Sequence, residues 1–234
     1  MTNAQLAEKI LSNLQRGFPK KHEFRQVDGS RFPHVNQRFY ESASRELADL
    51  GFRPLGDIED VTAKLNGKPD LRTFIRVMTD AENTTVSACF NLAPTFLWRV
   101  ALLVLRIPRN IVEFESYSGD EFTHSTTITP ASATVARPGT MTRVSLSKKT
   151  PIREIYERHR LYVKASFPQP LKTIRTMSDA IELQVAQHAQ LRNHLERSGW
   201  VTKDYLRRQG VAAAILDDVH DEIQKLWKSG FEVA

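Results

Sequence analysis

The sequence predicts an α+β protein. We expect an antiparallel β-sheet of about four to six strands, with two hairpins, covered by helices and followed by an α-helical C-terminal section. The segments Leu71–Thr79 and Thr84–Leu92 alternate between apolar and polar residues with a period of two, which is typical of half-buried strands. A second pair of segments, Asn110–Tyr117 and Phe122–Thr129, flanks a Gly-Asp dipeptide typical of tight turns and is expected to form the second hairpin. The last third of the chain instead has apolar residues at helical spacing.

Length and composition are those of a globular protein with a proper core. The chain has 234 residues, of which 41% are hydrophobic and 26% are charged. We divide it into an N-terminal helix and linker (1–35), an α+β sheet domain (36–170) and a helical section packed on that domain (171–234). The single cysteine, Cys89, excludes an internal disulfide, and the polar N-terminus lacks the pattern of a signal peptide. We therefore expect a cytoplasmic protein.

Local signals place the remaining elements. Thr2 and Gln5 form the capping-box pattern of a helix, and Phe18–Pro33 is polar and turn-rich, which indicates a loop. Pro151, preceded by Thr150 as a cap, opens another helix. The predicted helices are 3–15, 36–50, 94–107, 151–167, 178–198, 203–208 and 212–228, and further strands are expected within 53–65 and 141–146.

The two hairpins receive explicit registers. A turn at 80–83 places Val77 opposite Val86 and gathers the apolar residues of both strands on one face. A two-residue loop in the second hairpin places Glu115 opposite His124.

Glu115 and His124 are the candidate catalytic pair. A carboxylate beside an imidazole raises its pKa and fixes its tautomer, as a general base requires. Glu113 and Tyr117 share the strand face of Glu115 and are candidate binding residues. The alternative interpretation is a solvated sheet face with a cross-strand ion pair.

Three histidines lie on or beside apolar helix stripes: His159, His188 and His220. Inward imidazoles could form a metal site in a helical bundle, but no two of these have a short ligand spacing. We favour histidines whose hydrogen bonds are satisfied in the core, and we predict no metal site and no cofactor.

Basic charge is concentrated in one segment, 143–175. It carries nine Lys and Arg against two Glu, a net of +7, so the rest of the +6 chain nets −1. Arg153, Arg158 and Lys164 lie off the apolar stripe of their predicted helix and could contact phosphate-bearing partners. On the sheet, Arg72 and Arg76 are further candidate binding residues.

The leading hypothesis is a non-enzymatic binding or adaptor protein. A groove between sheet and helices would hold a small ligand or a protein partner. The alternatives are a hydrolase-type enzyme using Glu115 and His124, and a nucleic-acid or phosphate-binding protein using segment 143–175, which is possible but not favoured. The apolar run 95–107 is too short to span a membrane, and we favour a core helix there over peripheral membrane contact.

Overall fold

The computed structural model describes residues 2–62, 72–92, 108–129 and 135–232, and its centre is a seven-stranded sheet. The strands are β1 (Phe24–Val27), β2 (Arg53–Asp60), β3 (Ile75–Thr79), β4 (Thr85–Asn91), β5 (Asn110–Ser118), β6 (Phe122–Thr127) and β7 (Met141–Ser145). They lie side by side in chain order. Neighbours from β1 to β6 are antiparallel, whereas β7 is parallel to β6. The α+β class is confirmed, but the sheet is mixed and has more strands than predicted.

Helices lie at both ends of the chain and between strands. They are α1 (Asn3–Gly17), α2 (Gln37–Asp49), α3 (Ile152–Ser166), α4 (Met177–Arg197), α5 (Lys203–Arg208) and α6 (Leu216–Lys228), with 3-10 turns at Gly29–Arg31 and Ala213–Ile215. The Thr2 capping box of α1 is present as predicted. Helix α3 begins one residue after Pro151, without the predicted Thr150 side-chain cap. The predicted helix 94–107 and the membrane contact through 95–107 lie outside the described residues. No described helix is both long and apolar enough to cross a membrane.

The predicted loop 18–33 contains an unexpected strand, β1. It pairs with β2 through Phe24 opposite Asp60 and Val27 opposite Asp57. Only its two end residues are partly buried, while Arg25 and Gln26 are exposed. A four-residue edge strand therefore shows no apolar alternation that the sequence could reveal.

One face of the sheet packs against α2 and α3 and forms the main core. Its buried side chains include Tyr40, Leu47, Phe52, Phe74, Met78, Cys89, Val112, Phe114, Ile155 and Tyr156. Phe114 is fully buried, with its ring centroid 5.2 Å from Tyr156 and 5.5 Å from Phe52. We call this side of the sheet the core face.

The opposite side of the sheet faces α4, and we call it the cavity face. Ile58, Val77 and Val86 from three strands pack near Met177 and Ala180 at the start of α4. Beyond this contact, α4 continues into a separate helical core with α1, α5 and α6, built around Leu11, Leu195, Trp200, Leu206, Val219 and Ile223. The N-terminal helix thus packs with the C-terminal section, and both lie along one side of the sheet.

The first hairpin differs from its predicted register by two residues. Thr79 rather than Val77 lies opposite Val86, and Val77 lies opposite Ala88. The reason is a longer turn, in which Asp80 Oδ1 accepts hydrogen bonds from the backbone N–H groups of Thr84 (2.8 Å) and Thr85 (3.0 Å). Because the shift is even, each side chain remains on its predicted face.

The second hairpin differs by one residue, which has a larger effect. Its loop has three residues, 119–121, and Ser118 pairs with Phe122. His124 consequently lies opposite Ser116, and Glu115 lies opposite Ser125. The predicted pairing of Glu115 with His124 is therefore wrong, because an odd shift moves one partner to the other face of the sheet.

We predict that Phe114→Ala lowers the free energy of unfolding by about 3–5 kcal/mol, because it leaves a cavity in a close-packed core. The matched control is Phe122→Ala in the adjacent strand, where the side chain is 41% exposed and the loss should stay within about 0.5 kcal/mol. Urea denaturation measures both. Equal losses in the two variants would contradict the core assigned to this face.

Candidate functional site

A cavity of about 520 Å³ lies between the cavity face of the sheet and α4. Its volume falls in the range typical of small-molecule sites. The cavity floor is apolar and comes from alternating positions of four neighbouring strands: Ile58, Ile75, Val77, Val86, Ala88, Phe90 and Ile111. Leu14 and Phe18 of the α1 end and Leu191 of α4 also line it.

The other side of this cavity is polar, and we call it the polar wall. It consists of Glu113, Glu115, Tyr117, Arg137, Arg143, Gln184, Gln187 and His188. The strand pairing aligns its sheet residues, since Glu115 lies opposite Ser125 and Ser125 lies opposite Arg143. Side chains in such a row point to the same face, so the row places an acid, a hydroxyl and a guanidinium side by side.

Glu115 is the best-bonded member of the polar wall. Its carboxylate accepts hydrogen bonds from Tyr117 Oη (2.6 Å), from Gln184 Nε2 and from Gln187 Nε2 (3.4 Å). Burial raises the pKa of Glu115, and the negative charge of Glu113 raises it further. The site therefore favours the protonated form of this carboxyl more than water does.

Two guanidiniums complete the polar wall, and their bonding is incomplete. Arg143 Nη2 donates to Glu113 Oε2 over 3.4 Å. The Nε atoms of Arg137 and Arg143 are both buried and have no hydrogen-bond partner among the described residues. Burial, and then the charge of Arg143, lowers the pKa of Arg137, whereas the two glutamates raise it. These four charged groups therefore lie close enough to act on one another.

Sequence reasoning missed most of the polar wall. Glu113, Glu115 and Tyr117 were predicted as one face, which the pairing of β5 confirms. On α4, Gln184, Gln187 and His188 share one helix face with the apolar residues Ala180 and Leu191. Polar residues on an otherwise apolar face are the signal that could have identified them. Arg137 precedes β7 in an irregular connection, where no local pattern indicates burial.

His124 lies on the core face, away from Glu115. Its imidazole stacks on Tyr162, with centroids 3.8 Å apart, and lies 5.1 Å from His159. Both histidines are fully buried. Hydroxyl groups satisfy their ring nitrogens: Thr142 (2.8 Å) and Thr126 (3.1 Å) at His124, and Ser116 (3.0 Å) and Thr126 (3.1 Å) at His159.

This histidine pair has the environment of a structural core. The cavity under α4 does not reach it. Burial lowers the pKa of His124 to about 4 and that of His159 to about 3, the latter with help from His124. The contact between Glu115 and His124, on which the hydrolase hypothesis rested, is absent.

The two sheet arginines are held in ion pairs. Arg76 makes a bidentate bond to Asp57 (2.8 and 2.9 Å), and its guanidinium lies 5.5 Å from the ring centroids of Tyr40 and Phe74. Arg72 is paired with Glu59 and lines a groove of about 650 Å³ near β1. That groove is larger than the α4 cavity, but Arg25, Arg31 and His34 around it are exposed, which makes it a surface depression.

The helical candidates do not converge on one place. Arg153, Arg158 and Lys164 are exposed on α3, and Arg158 is paired with Glu154 at 2.7 Å. His220 pairs with Asp221 at 3.4 Å. His188 stacks on His22 (3.9 Å between centroids), which is itself 3.3 Å from Asp60. Across the described ranges, no group of three or more His, Cys, Asp or Glu side chains could hold a metal ion.

We predict that the buried histidine pair makes the protein acid-sensitive. Unfolded histidine titrates near pH 6.5, whereas His124 and His159 in the folded protein titrate at lower pH. Below pH 6.5 the unfolded chain therefore binds more protons than the folded chain. Stability should therefore fall as the pH drops from about 6.5 towards 4, by up to about 1.4 kcal/mol per pH unit for each histidine. Urea denaturation at several pH values across this window gives the free energy of unfolding. That free energy should change less steeply with pH for His159→Gln than for the wild type. The exposed control His34→Gln should keep the wild-type slope, and identical slopes in all three proteins would contradict the assignment.

Known proteins add no information about this site. Comparison with protein families, with curated proteins and with solved structures finds no match to this chain.

Proposed function

We propose that this protein binds a small amphipathic molecule in the cavity between the sheet and α4, without converting it chemically. The observation that carries the proposal is the division of one cavity of about 520 Å³ into an apolar floor and a polar wall. Ligand sites typically combine mostly apolar lining with a few convergent polar groups. A molecule with an apolar body and one polar end would match both parts.

The apolar floor includes side chains that the described residues do not fully cover. Ile75, Ala88 and Phe90 are only partly buried, although they lie on central strands of the sheet. Burying apolar area releases about 25 cal/mol for each Å² removed from water, so an apolar occupant would gain free energy here. This gain supports a ligand whose larger part is hydrocarbon.

Binding without turnover fits the bonding of the polar wall. Glu115 is the carboxylate with the raised pKa, but Tyr117, Gln184 and Gln187 already donate to its oxygens. A general base needs an oxygen within hydrogen-bond reach of the ligand's proton. The three donors instead hold Glu115 in place and connect β5 to α4, as a rigid binding wall requires.

We predict that filling the floor abolishes binding. Ala88 lies between Val77 and Glu113 on adjacent strands, so Ala88→Phe would place a ring in the middle of the cavity. We expect the affinity for an apolar fluorescent probe such as 1-anilinonaphthalene-8-sulfonate to drop at least about tenfold, with the far-UV circular dichroism retained. Fluorescence titration measures the affinity.

A matched control adds the same ring elsewhere. Ala165 is exposed on α3, and Ala165→Phe should leave the affinity unchanged. Wild-type protein that fails to bind the probe, or Ala88→Phe protein that binds it as well as the control does, would exclude this cavity as the binding site.

A further inference from the structure

We infer that the ligand carries a single carboxylate, which Arg137 and Arg143 hold at the polar end of the cavity, so that the protein takes a long-chain monocarboxylic acid. This inference rests on the proposed binding function and adds the chemical class of the ligand. It depends on which hydrogen-bonding groups of the polar wall still lack a partner.

The unsatisfied side-chain groups of the polar end can act as donors. The Nε atoms of Arg137 and Arg143 and the Nδ1 atom of His188 belong to residues that line the cavity, and all three atoms are buried without a partner among the described residues. A guanidinium can only donate, and an imidazole nitrogen that carries the proton can do so as well. The two carboxyl groups of the wall already accept hydrogen bonds, since Glu115 receives three and Glu113 receives one from Arg143. The missing partner is therefore an acceptor.

The charges of the polar wall also favour an anion over a neutral acceptor. Arg143 is paired with Glu113, whereas Glu115 receives its hydrogen bonds from the neutral side chains of Tyr117, Gln184 and Gln187. The buried Nε of the second guanidinium, Arg137, has no partner among the described residues. A desolvated charge without a partner is costly, so one negative charge on the ligand would restore the balance.

The balance of charges in the polar wall also distinguishes a carboxylate from a phosphate. A carboxylate carries one charge and two oxygens, and planar guanidinium groups match that geometry. An alkyl phosphate carries nearly two negative charges near neutral pH. Arg143 already balances the charge of Glu113, so only the single positive charge of Arg137 is left to balance the phosphate. The hydrocarbon chain of the acid would lie over Val77, Val86 and Ala88 on the apolar floor.

The test compares four twelve-carbon probes that differ only in the head group: dodecanoate, 1-dodecanol, dodecyl phosphate and dodecylamine. Isothermal titration calorimetry below the micellar concentrations, at pH 7.5, gives each affinity. We expect dodecanoate to bind at least about tenfold more tightly than the alcohol, since a hydrogen bond to a charged group is worth that much. The phosphate should bind more weakly than dodecanoate, and the amine most weakly.

Variants of the two arginines locate the head group. Arg137→Gln should reduce the affinity for dodecanoate about tenfold and leave the affinity for dodecanol unchanged. Arg143→Gln should show the same selective loss. If that variant fails to fold, Arg143→Lys replaces it, since lysine keeps the charge and the pairing with Glu113 but lacks the buried Nε donor. Arg153→Gln, at an exposed site on α3, is the control and should bind like the wild type.

The outcomes separate the two proposals. Equal affinities for dodecanoate and dodecanol, or a preference for the phosphate or the amine, would overturn the carboxylate inference and leave a binding cavity in place. Failure of all four probes to bind would overturn the inference together with the proposed function. Loss of dodecanol binding in Arg137→Gln would show that the residue shapes the cavity rather than recognising a charge.

Discussion

The pairing of β5 with β6 determines which side chains meet on each face of the sheet. Its three-residue loop begins with Gly119, whose φ of 54° lies in the region that glycine adopts without strain. This register places Glu115 beside Ser125 and, across β6, Arg143, while His124 turns to the opposite face beside Ser116. A change of one residue would invert every side chain of β6 and β7 relative to β5, and it would remove both polar clusters at once.

The sequence predicts the architecture better than it predicts the site, and the two hairpins show why. Alternation identifies strands and their apolar faces, and the first hairpin keeps its faces even though its register is shifted by two residues. In the second hairpin the predicted register is shifted by one residue, and this odd shift places Glu115 and His124 on opposite faces of the sheet. A Gly-Asp dipeptide is compatible with loops of two or three residues, so the local sequence does not choose between them. The polar wall further requires that α4 cross β5, a contact that no local pattern encodes.

Burying charged groups under α4 is difficult to explain by stability alone. Moving an ion pair out of water often costs more free energy than the Coulomb attraction returns, and apolar side chains of similar volume are frequently as stable. Arg143 and Glu113 are buried in spite of this cost, although their N–O distance is 3.4 Å and they lack the bidentate geometry of Arg76 and Asp57 on the core face. Structural ion pairs also perturb pKa values, so the shifted Glu115 is an indication of function only together with the cavity beside it.

The two polar clusters of the sheet differ in a way that bears on function. On the core face, both nitrogens of His124 and both of His159 have hydroxyl partners, and burial keeps the imidazoles neutral. On the cavity face, the buried Nε atoms of Arg137 and Arg143 have no hydrogen-bond partner among the described residues. The same kind of hydroxyl partner that satisfies the ring nitrogens of the core face would satisfy these donors if one hydroxyl or carbonyl lay beside each guanidinium. These unpartnered donors beside an apolar floor are the contrast with the core face on which the proposal of a bound ligand rests.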